Sequence, residues 1–305
     1  MKEDVPLSKF TTLGTGGPAA RFAQPEMVEE LVDLLAWAQE HDLPVAAVGL
    51  GSNLLVADEG FPGLALKLSG ALAFAKAGNG RLVAGAGAPL AVCLHRARAA
   101  ELGGFEFACA IPGTVGGGVW MNAGAYGSDI AAVLERALVA DARGTRWRTP
   151  DELGLTYRRS GLRAGEIVAA AEFRLEPRPL EEIKRTVAEM QARRKEAQPT
   201  NKRTFGSVFK NPEHELTAGR MLEACGLRGH RVRGAQISPK HANFIENAGG
   251  ARSEDAVALI VEARRRAREA FGIVLKPEVQ LLGPIAIPPA ADESEEAPAP
   301  GSSGR

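Results

Sequence analysis

The chain has 305 residues, with Lys+Arg 37 against Asp+Glu 37, a hydrophobic fraction of 45% and a charged fraction of 24%. The even charge excludes a basic nucleic-acid wrapper and an acidic tail protein, and the length allows two or three domains that each bury a core. Glycine, at 35 residues, exceeds the usual share of about 7% and gathers in a few short segments that a function must explain.

Met1 to Leu7 carries no cationic stretch leading into an apolar one, so no secretion signal is expected. Met27, Leu31, Leu34, Leu35 and Ala38 share one stripe and predict a helix over 26–40, followed after Pro44 by the apolar strand Val45 to Val48. That strand enters Gly49-Leu50-Gly51-Ser52-Asn53, and Leu54 to Val56 resumes strand character, so this glycine loop joins strand to strand. A dinucleotide-binding turn of the G-x-G-x-x-G kind would instead open a helix. Leu64 to Leu68 and Leu82 to Ala84 read as strands, Pro89 to Glu101 as a helix, and Ile111 to Gly127 as a glycine-rich loop region.

Phe107 to Ser128 is uncharged and long enough to span a membrane, but six glycines, Pro112 and Asn122 would leave too much backbone unpaired in lipid. No membrane insertion is expected. Further strands are predicted at Ala137 to Asp141, Thr145 to Arg148 and Ile167 to Leu175, then a charged amphipathic helix over Leu180 to Ala197, ending at Pro199. The last region reads as strand, helix (Thr217 to Cys225), strands, helix (Ser253 to Phe271, with Ser253 as its N-cap) and a final strand, Ile273 to Leu282. Arg264, Arg265, Arg266 and Arg268 are balanced by Glu254, Asp255, Glu262 and Glu269, which argues for a solvated helix face and against nucleic acid. Ala286 to Arg305, rich in proline and acids, is expected to be a disordered tail with no core to join.

Chemistry is concentrated in few places. The loops Gly49 to Asn53 and Ile111 to Gly118 let consecutive backbone N–H groups converge on an anion such as a diphosphate. Neither contains the G-K-[ST] of a P-loop, and two such loops together favour a dinucleotide cofactor. Gly206-Ser207-Val208-Phe209-Lys210-Asn211-Pro212 sets a hydroxyl, an ammonium and a carboxamide between a flexible and a rigid residue. Arg158 and Arg159 lie between strand-like pieces, and Glu278 puts a carboxylate into an apolar terminal segment. Cys93, Cys109 and Cys225 are far apart, and His41, His95, His214, His230 and His241 have no ligand spacing, so no disulfide scaffold or metal is expected and a reducing compartment fits.

Seven blocks, in order, resemble the UDP-N-acetylenolpyruvoylglucosamine reductase family of bacterial cell-wall synthesis. They are Thr11 to Gly14 with Gly16 to Ala19, Val48 to Leu55, Ala110 to Gly127, Tyr157 to Ser160, Gly206 to Pro212, Ser238 to Phe244 and Pro277 to Val279. The resemblance runs from Leu7 to Gly283 and implies an α+β fold. It comprises an FAD-binding domain of the vanillyl-alcohol-oxidase (PCMH) type in two subdomains, 5–66 and 67–178, then a smaller α+β substrate-binding domain, 179–284, and the tail, 285–305. It further implies a cytoplasmic flavoenzyme that binds FAD and uses NADPH to reduce UDP-N-acetylglucosamine enolpyruvate to UDP-N-acetylmuramate.

Carried over by position, Arg158, Ser207 and Glu278 fall on the catalytic positions. Gly49, Gly51, Ser52, Asn53 and Leu54, with Ile111, Pro112, Gly113, Thr114, Gly116 and Gly117, fall on the FAD diphosphate loops, and Asn122, Gly124 and Gly127 near the flavin. Lys210, Asn211 and Arg220 are the expected substrate contacts, and Lys202, Arg203, Arg228, Arg231 and Arg233 complete a basic set suited to the UDP diphosphate. No tyrosine lies between Arg158 and Ser207, which suggests the shorter subgroup that lacks a tyrosine-bearing closing loop. Two rival readings remain at this stage: an FAD oxidase of the same fold, and a nucleotide-sugar binding protein without chemistry.

Overall fold

The structure is a computed structural model and describes residues 1–289. Helix α1 (Val28–Glu40) forms where the apolar stripe predicts it, with Glu29 and Glu30 in its first turn, where the helix dipole favours acids. Leu31, Leu35 and Ala38 are buried and pack with Leu64 and Leu66 and with Ala140, Ile167 and Ala169 from the middle of the chain. The underlying sheet has the order Lys2–Pro6, Pro18–Ala23, Phe61–Leu66, Val45–Ala47. Its last two pairings are parallel, with α1 crossing between strands.

The middle of the chain forms a second, antiparallel sheet in the order Gly144–Arg148, Leu134–Asp141, Ile167–Arg174, Arg81–Gly85, Ala75–Gly78. Its core holds Phe105, Phe107 and Phe173, with the rings of Phe105 and Phe173 meeting edge to face at 5.1 Å. Helices α2 (Leu90–Ala99) and α3 (Val115–Met121) cover it. The α3 helix corrects the reading of 111–127 as loop throughout. Thr114 accepts from Gly117 N–H as its N-cap, and this cap together with the burial of Val115, Val119 and Met121 offsets the poor helix propensity of three consecutive glycines. Helix α4 (Leu180–Ala197) sends its buried residues, Ile183 and Val187, into this same core, while Lys240 of the third region donates to Lys195 O near its end at 2.5 Å, so the helix joins the two regions.

The third region contains the sheet Thr204–Ser207, Phe244–Asn247, Ala235–Ile237, Arg231–Val232 and helices α5 (Ala218–Ala224) and α6 (Ser253–Phe271). It is stitched to the first region. Gln280–Leu282 pairs in parallel with Leu54–Val56, and Asp58 accepts from the first two N–H groups of α6, Ser253 at 3.0 Å and Glu254 at 3.1 Å. Thr12 Oγ1 donates to Thr204 O at 2.6 Å, and Asn247 Nδ2 to Leu13 O at 3.0 Å.

Three expectations are corrected here. The N-cap of α6 is Arg252, whose N–H bonds Asp255; Ser253 is the first helical residue, and its hydroxyl is turned inward onto Thr15. The final strand covers only Gln280–Leu282, because the preceding segment runs beside Val208 to Lys210, where Pro277 has no N–H for a ladder. Ile285 and Ile287 pack against the third core, and Pro288 O accepts from Arg264, so the start of the expected tail does join a core; residues 290–305 lie outside the described residues. Among the described residues no helix is long and apolar enough to cross a membrane.

Candidate functional site

The two glycine loops meet. Ser52 Oγ donates to Pro112 O, and Gly49 lies so close to the α3 cap that a β-carbon there would stand 2.7 Å from Thr114 Oγ1. Gly51, at φ 66°, passes Phe10 O so closely that a β-carbon would come within 1.9 Å of it. These glycines therefore serve the protein's own packing. Gly113 and Gly117 do not: both have ordinary φ, and an added β-carbon would meet no protein atom nearer than 3.7 Å. Alanine would favour the helix at Gly117 by about 1 kcal/mol, so what these two leave room for is something other than protein. Among the described residues, the N–H groups of Gly49 to Asn53 and of Gly113 and Thr114 find no protein acceptor. Two neutral loops with unmet donors and bare α-carbons fit the diphosphate of a dinucleotide such as FAD.

Past α3 the chain makes a tight hairpin, Gly124–Ala125 against Ser128–Asp129, whose turn residues Tyr126 and Gly127 have φ 52° and 81°. Gly127 is thus required by the turn. Gly124 is required by pairing, since a β-carbon there would stand 2.5 Å from the Asp129 side chain. Asn122 ends α3 in the left-handed region at φ 41°. Its carboxamide donates to Asp129 Oδ2 and Thr156 O, both at 3.1 Å, and accepts from Ala131 N–H. With both donors used and the residue 3% exposed, its side chain shapes the loop and has no donor left for a flavin.

Arg158 is held in a turn closed by reciprocal bonds between Thr156 and Arg159, at φ 55°. That conformation costs a non-glycine residue about 1–2 kcal/mol, and the surroundings hold it. Its guanidinium donates to Gly124 O at 2.6 Å, to Asn122 O at 3.4 Å and to Glu278 Oε1 at 3.1 Å, while Lys210 Nζ donates to its carbonyl at 3.2 Å. Burial pushes the Glu278 carboxyl above the ordinary carboxylate range, with Arg158 and then Lys210 opposing the shift.

Ser207, Lys210 and Glu278 come together because 207–210 runs antiparallel to 276–278. Glu278 N–H bonds Val208 O at 2.8 Å, and Lys210 N–H bonds Lys276 O at 2.9 Å. The segment is fixed from behind by Asn243, whose carboxamide donates to Phe209 O and accepts from Phe209 N–H, each at 2.9 Å and fully buried. Asn53 ties this cluster to the first glycine loop: its Nδ2 donates to Glu278 O at 3.1 Å and its own carbonyl accepts from Gln280 N–H at 3.0 Å.

The structure thus brings Arg158, Lys210 and Glu278 into one cluster beside the first loop, with Ser207 preceding Val208 on the segment that pairs with Glu278. Asn211 is turned to the start of α5, accepting from Ala218 N–H at 3.2 Å. Arg220 is not brought in; it shares Glu223 with Arg228 on the outer face of α5, near His241. Arg233 is paired with Glu254 and Asp255. Of the basic set, Lys202, Arg203 and Arg231 have no carboxylate partner among the described residues. Two residues that sequence reasoning missed are Asn243 and Lys67, whose ammonium donates to Gly49 O at 2.9 Å. Asn243 lay inside a matched block without any role assigned, and Lys67 carries no signal in the sequence beyond a charge after an apolar strand.

Residues 198–282 match the profile of the UDP-N-acetylenolpyruvoylglucosamine reductase C-terminal domain, and residues 19–150 match an FAD binding domain. A UDP-N-acetylenolpyruvoylglucosamine reductase of Synechococcus sp. (strain WH7803) is 45% identical over 93% of this chain and 93% of its own length. One from Agathobacter rectalis is 42% identical over 92% of this chain and 93% of its own. The crystal structure of the reductase from Thermus caldophilus superposes with a TM-score of 0.80 at 38% identity, covering 92% of this chain and 98% of the other. The chain belongs to the UDP-N-acetylenolpyruvoylglucosamine reductase family.

Proposed function

We propose a division of labour within this site for the family's reaction. The protein is an FAD-dependent oxidoreductase of peptidoglycan precursor synthesis, reducing the enolpyruvyl group of UDP-N-acetylglucosamine enolpyruvate to the lactyl ether of UDP-N-acetylmuramate with NADPH as donor. FAD, when bound, carries the electrons from NADPH to the enolpyruvyl carbon. The observation that supports the reading is the convergence of Arg158, Lys210 and Glu278, with Ser207 on the same segment as Lys210, beside two loops with unmet N–H donors.

Gly49 to Leu54 and Ile111 to Gly117 hold the cofactor's diphosphate, with Gly113 and Gly117 kept bare for it. Gly124 and Gly127 set the hairpin that carries the Arg158 contact. Arg158 offers fixed donors to the negative charge that develops next to the reduced carbon, and its αL turn and Glu278 hold it in that position beforehand. Ser207 gives the proton to the other carbon, and Lys210 lowers the cost of the resulting alkoxide and returns a proton to it. Glu278 orients Arg158 and, with its raised pKa, is suited to hold a proton near the site. Lys210 and Asn211 bound the substrate; Arg220, with Arg228, Lys202, Arg203 and Arg231, presents a basic surface for the UDP end.

We also read three units, 5–66, 67–178 and 179–284, with α4 packing on the second core through Ile183 and Val187. A chain without a tyrosine between Arg158 and Ser207 closes over substrate without a tyrosine loop. Three cysteines without disulfides suit the cytoplasm, where NADPH and the nucleotide sugar are found.

The test is an anaerobic visible spectrum. NADPH should bleach the flavin bands, and UDP-N-acetylglucosamine enolpyruvate should restore them. Restoration by oxygen at the same rate without that acceptor would support the oxidase reading instead.

A further inference from the structure

Neither glycine loop contains a cationic side chain, yet a diphosphate brings two negative charges. The nearest fixed cation to the loops' own backbone is Lys67, at the end of the strand Phe61–Leu66. Its ammonium is half-buried, lies 5.7 Å over the ring of Phe10 and donates to Gly49 O at 2.9 Å. No carboxylate pairs with it among the described residues, and burial holds its pKa below the ordinary lysine value. A desolvated ammonium without a counter-charge is costly unless something compensates it.

The bond to Gly49 also sets a direction. In a trans peptide the carbonyl and the following N–H point opposite ways, so pinning Gly49 O onto Lys67 turns the Leu50 N–H to the far side of the loop. That N–H has no acceptor among the described residues.

We infer that Lys67 is the positioning residue and counter-charge of the FAD diphosphate loop: it aims the Leu50 N–H into the cradle and supplies the positive charge the loops lack. The inference rests on the cradle proposed above. It concerns a residue outside the matched loop blocks and predicts a dependence on the diphosphate and not on the flavin ring.

The experiment is titration of flavin-free protein with FAD and, separately, with riboflavin, followed by flavin fluorescence at several salt concentrations. Lys67→Met should weaken FAD about ten-fold or more at low salt, flatten the salt dependence of FAD binding and leave riboflavin within about two-fold of wild type. Equal loss of both ligands, or no loss of FAD, overturns the inference.

Lys67→Gln keeps a donor for Gly49 without the charge, and guards against a Met variant that does not fold. It should lose about three-fold or more in FAD affinity, and wild-type affinity with the wild-type salt slope would overturn the charge assignment. Gly117→Ala separates this inference from the cradle itself, because its β-carbon meets only ordinary contacts in the protein. If that variant binds FAD like wild type, the cradle reading fails. If it weakens FAD while the Lys67 variants do not, Lys67 alone is misassigned.

Discussion

The Nε of Arg158 stands 3.1 Å from Oε1 of Glu278, a residue 120 positions later in the chain, and both side chains are less than a fifth exposed, at 18% and 17%. An ion pair this secluded is held in place by other bonds: Gly124 O and Asn122 O on the guanidinium, Asn53 Nδ2 and the Val208 carbonyl on the Glu278 backbone. Arg158 is therefore preorganised by the second region, and Glu278 by the first and third. The pair closes the site only when all three are assembled.

The burial of Glu278 makes a pH prediction. Its folded pKa is raised, with burial the largest cause, so the folded protein keeps this proton where the unfolded chain has lost it. The stability from this group is fully present below the unfolded carboxylate value, about 4.3, and is lost as pH rises through the folded value. Glu278→Gln cannot titrate. Thermal unfolding of the flavin-free proteins should show the variant gaining on wild type as pH rises above the unfolded carboxylate value, about 4.3, and a constant difference once pH has passed the raised folded value. A difference that stays flat over the whole range would mean that Arg158 and Lys210 already offset the burial.

Asn243 supports the segment that carries Ser207 and Lys210. Asn243→Ala leaves the buried N–H and C=O of Phe209 unpaired, at about 1–3 kcal/mol each. Denaturant unfolding should show a midpoint lower by the equivalent of about 2–5 kcal/mol at an unchanged slope. A loss under about 1 kcal/mol would show that water replaces the carboxamide without cost.

Asp58 caps α6 from another part of the fold. Asp58→Ala should cost about 1–2 kcal/mol through the lost cap and the lost charge at the helix N-terminus. Hydrogen exchange should rise first at the N–H groups of Ser253 and Glu254, since these are the bonds removed. Exchange rising evenly along α6 would point to global destabilisation instead.

What the sequence revealed follows from the range of the forces involved. α1 and α4 are amphipathic over many residues, so their periodicity marks them, and α4 spans Leu180–Ala197 as read. Helix α3 was missed because three glycines hide it, and the Thr114 cap and the burial of Val115 and Val119 that hold it depend on single side chains and long-range packing. The last strand was read too long because Ile273, Leu275 and Val279 are apolar for packing and not for pairing. At the site, Arg158, Ser207 and Glu278 were found through the family blocks, but the pairing of the Ser207–Lys210 segment with 276–278 and the Arg158–Glu278 bond are long-range contacts that the blocks do not show. The pairing of Arg220 with Glu223 is a local helix contact that a list of basic residues does not reveal.

The central claim is that Ser207 protonates the substrate carbon and has no part in the reduction of the flavin. Anaerobic stopped-flow absorbance of Ser207→Ala measures the two half-reactions apart. The expected result is flavin reduction by NADPH at close to the wild-type rate, with reoxidation by UDP-N-acetylglucosamine enolpyruvate slowed about 10² to 10⁴-fold, the usual worth of a positioned acid. Equal slowing of both halves, or none in the second, would contradict it.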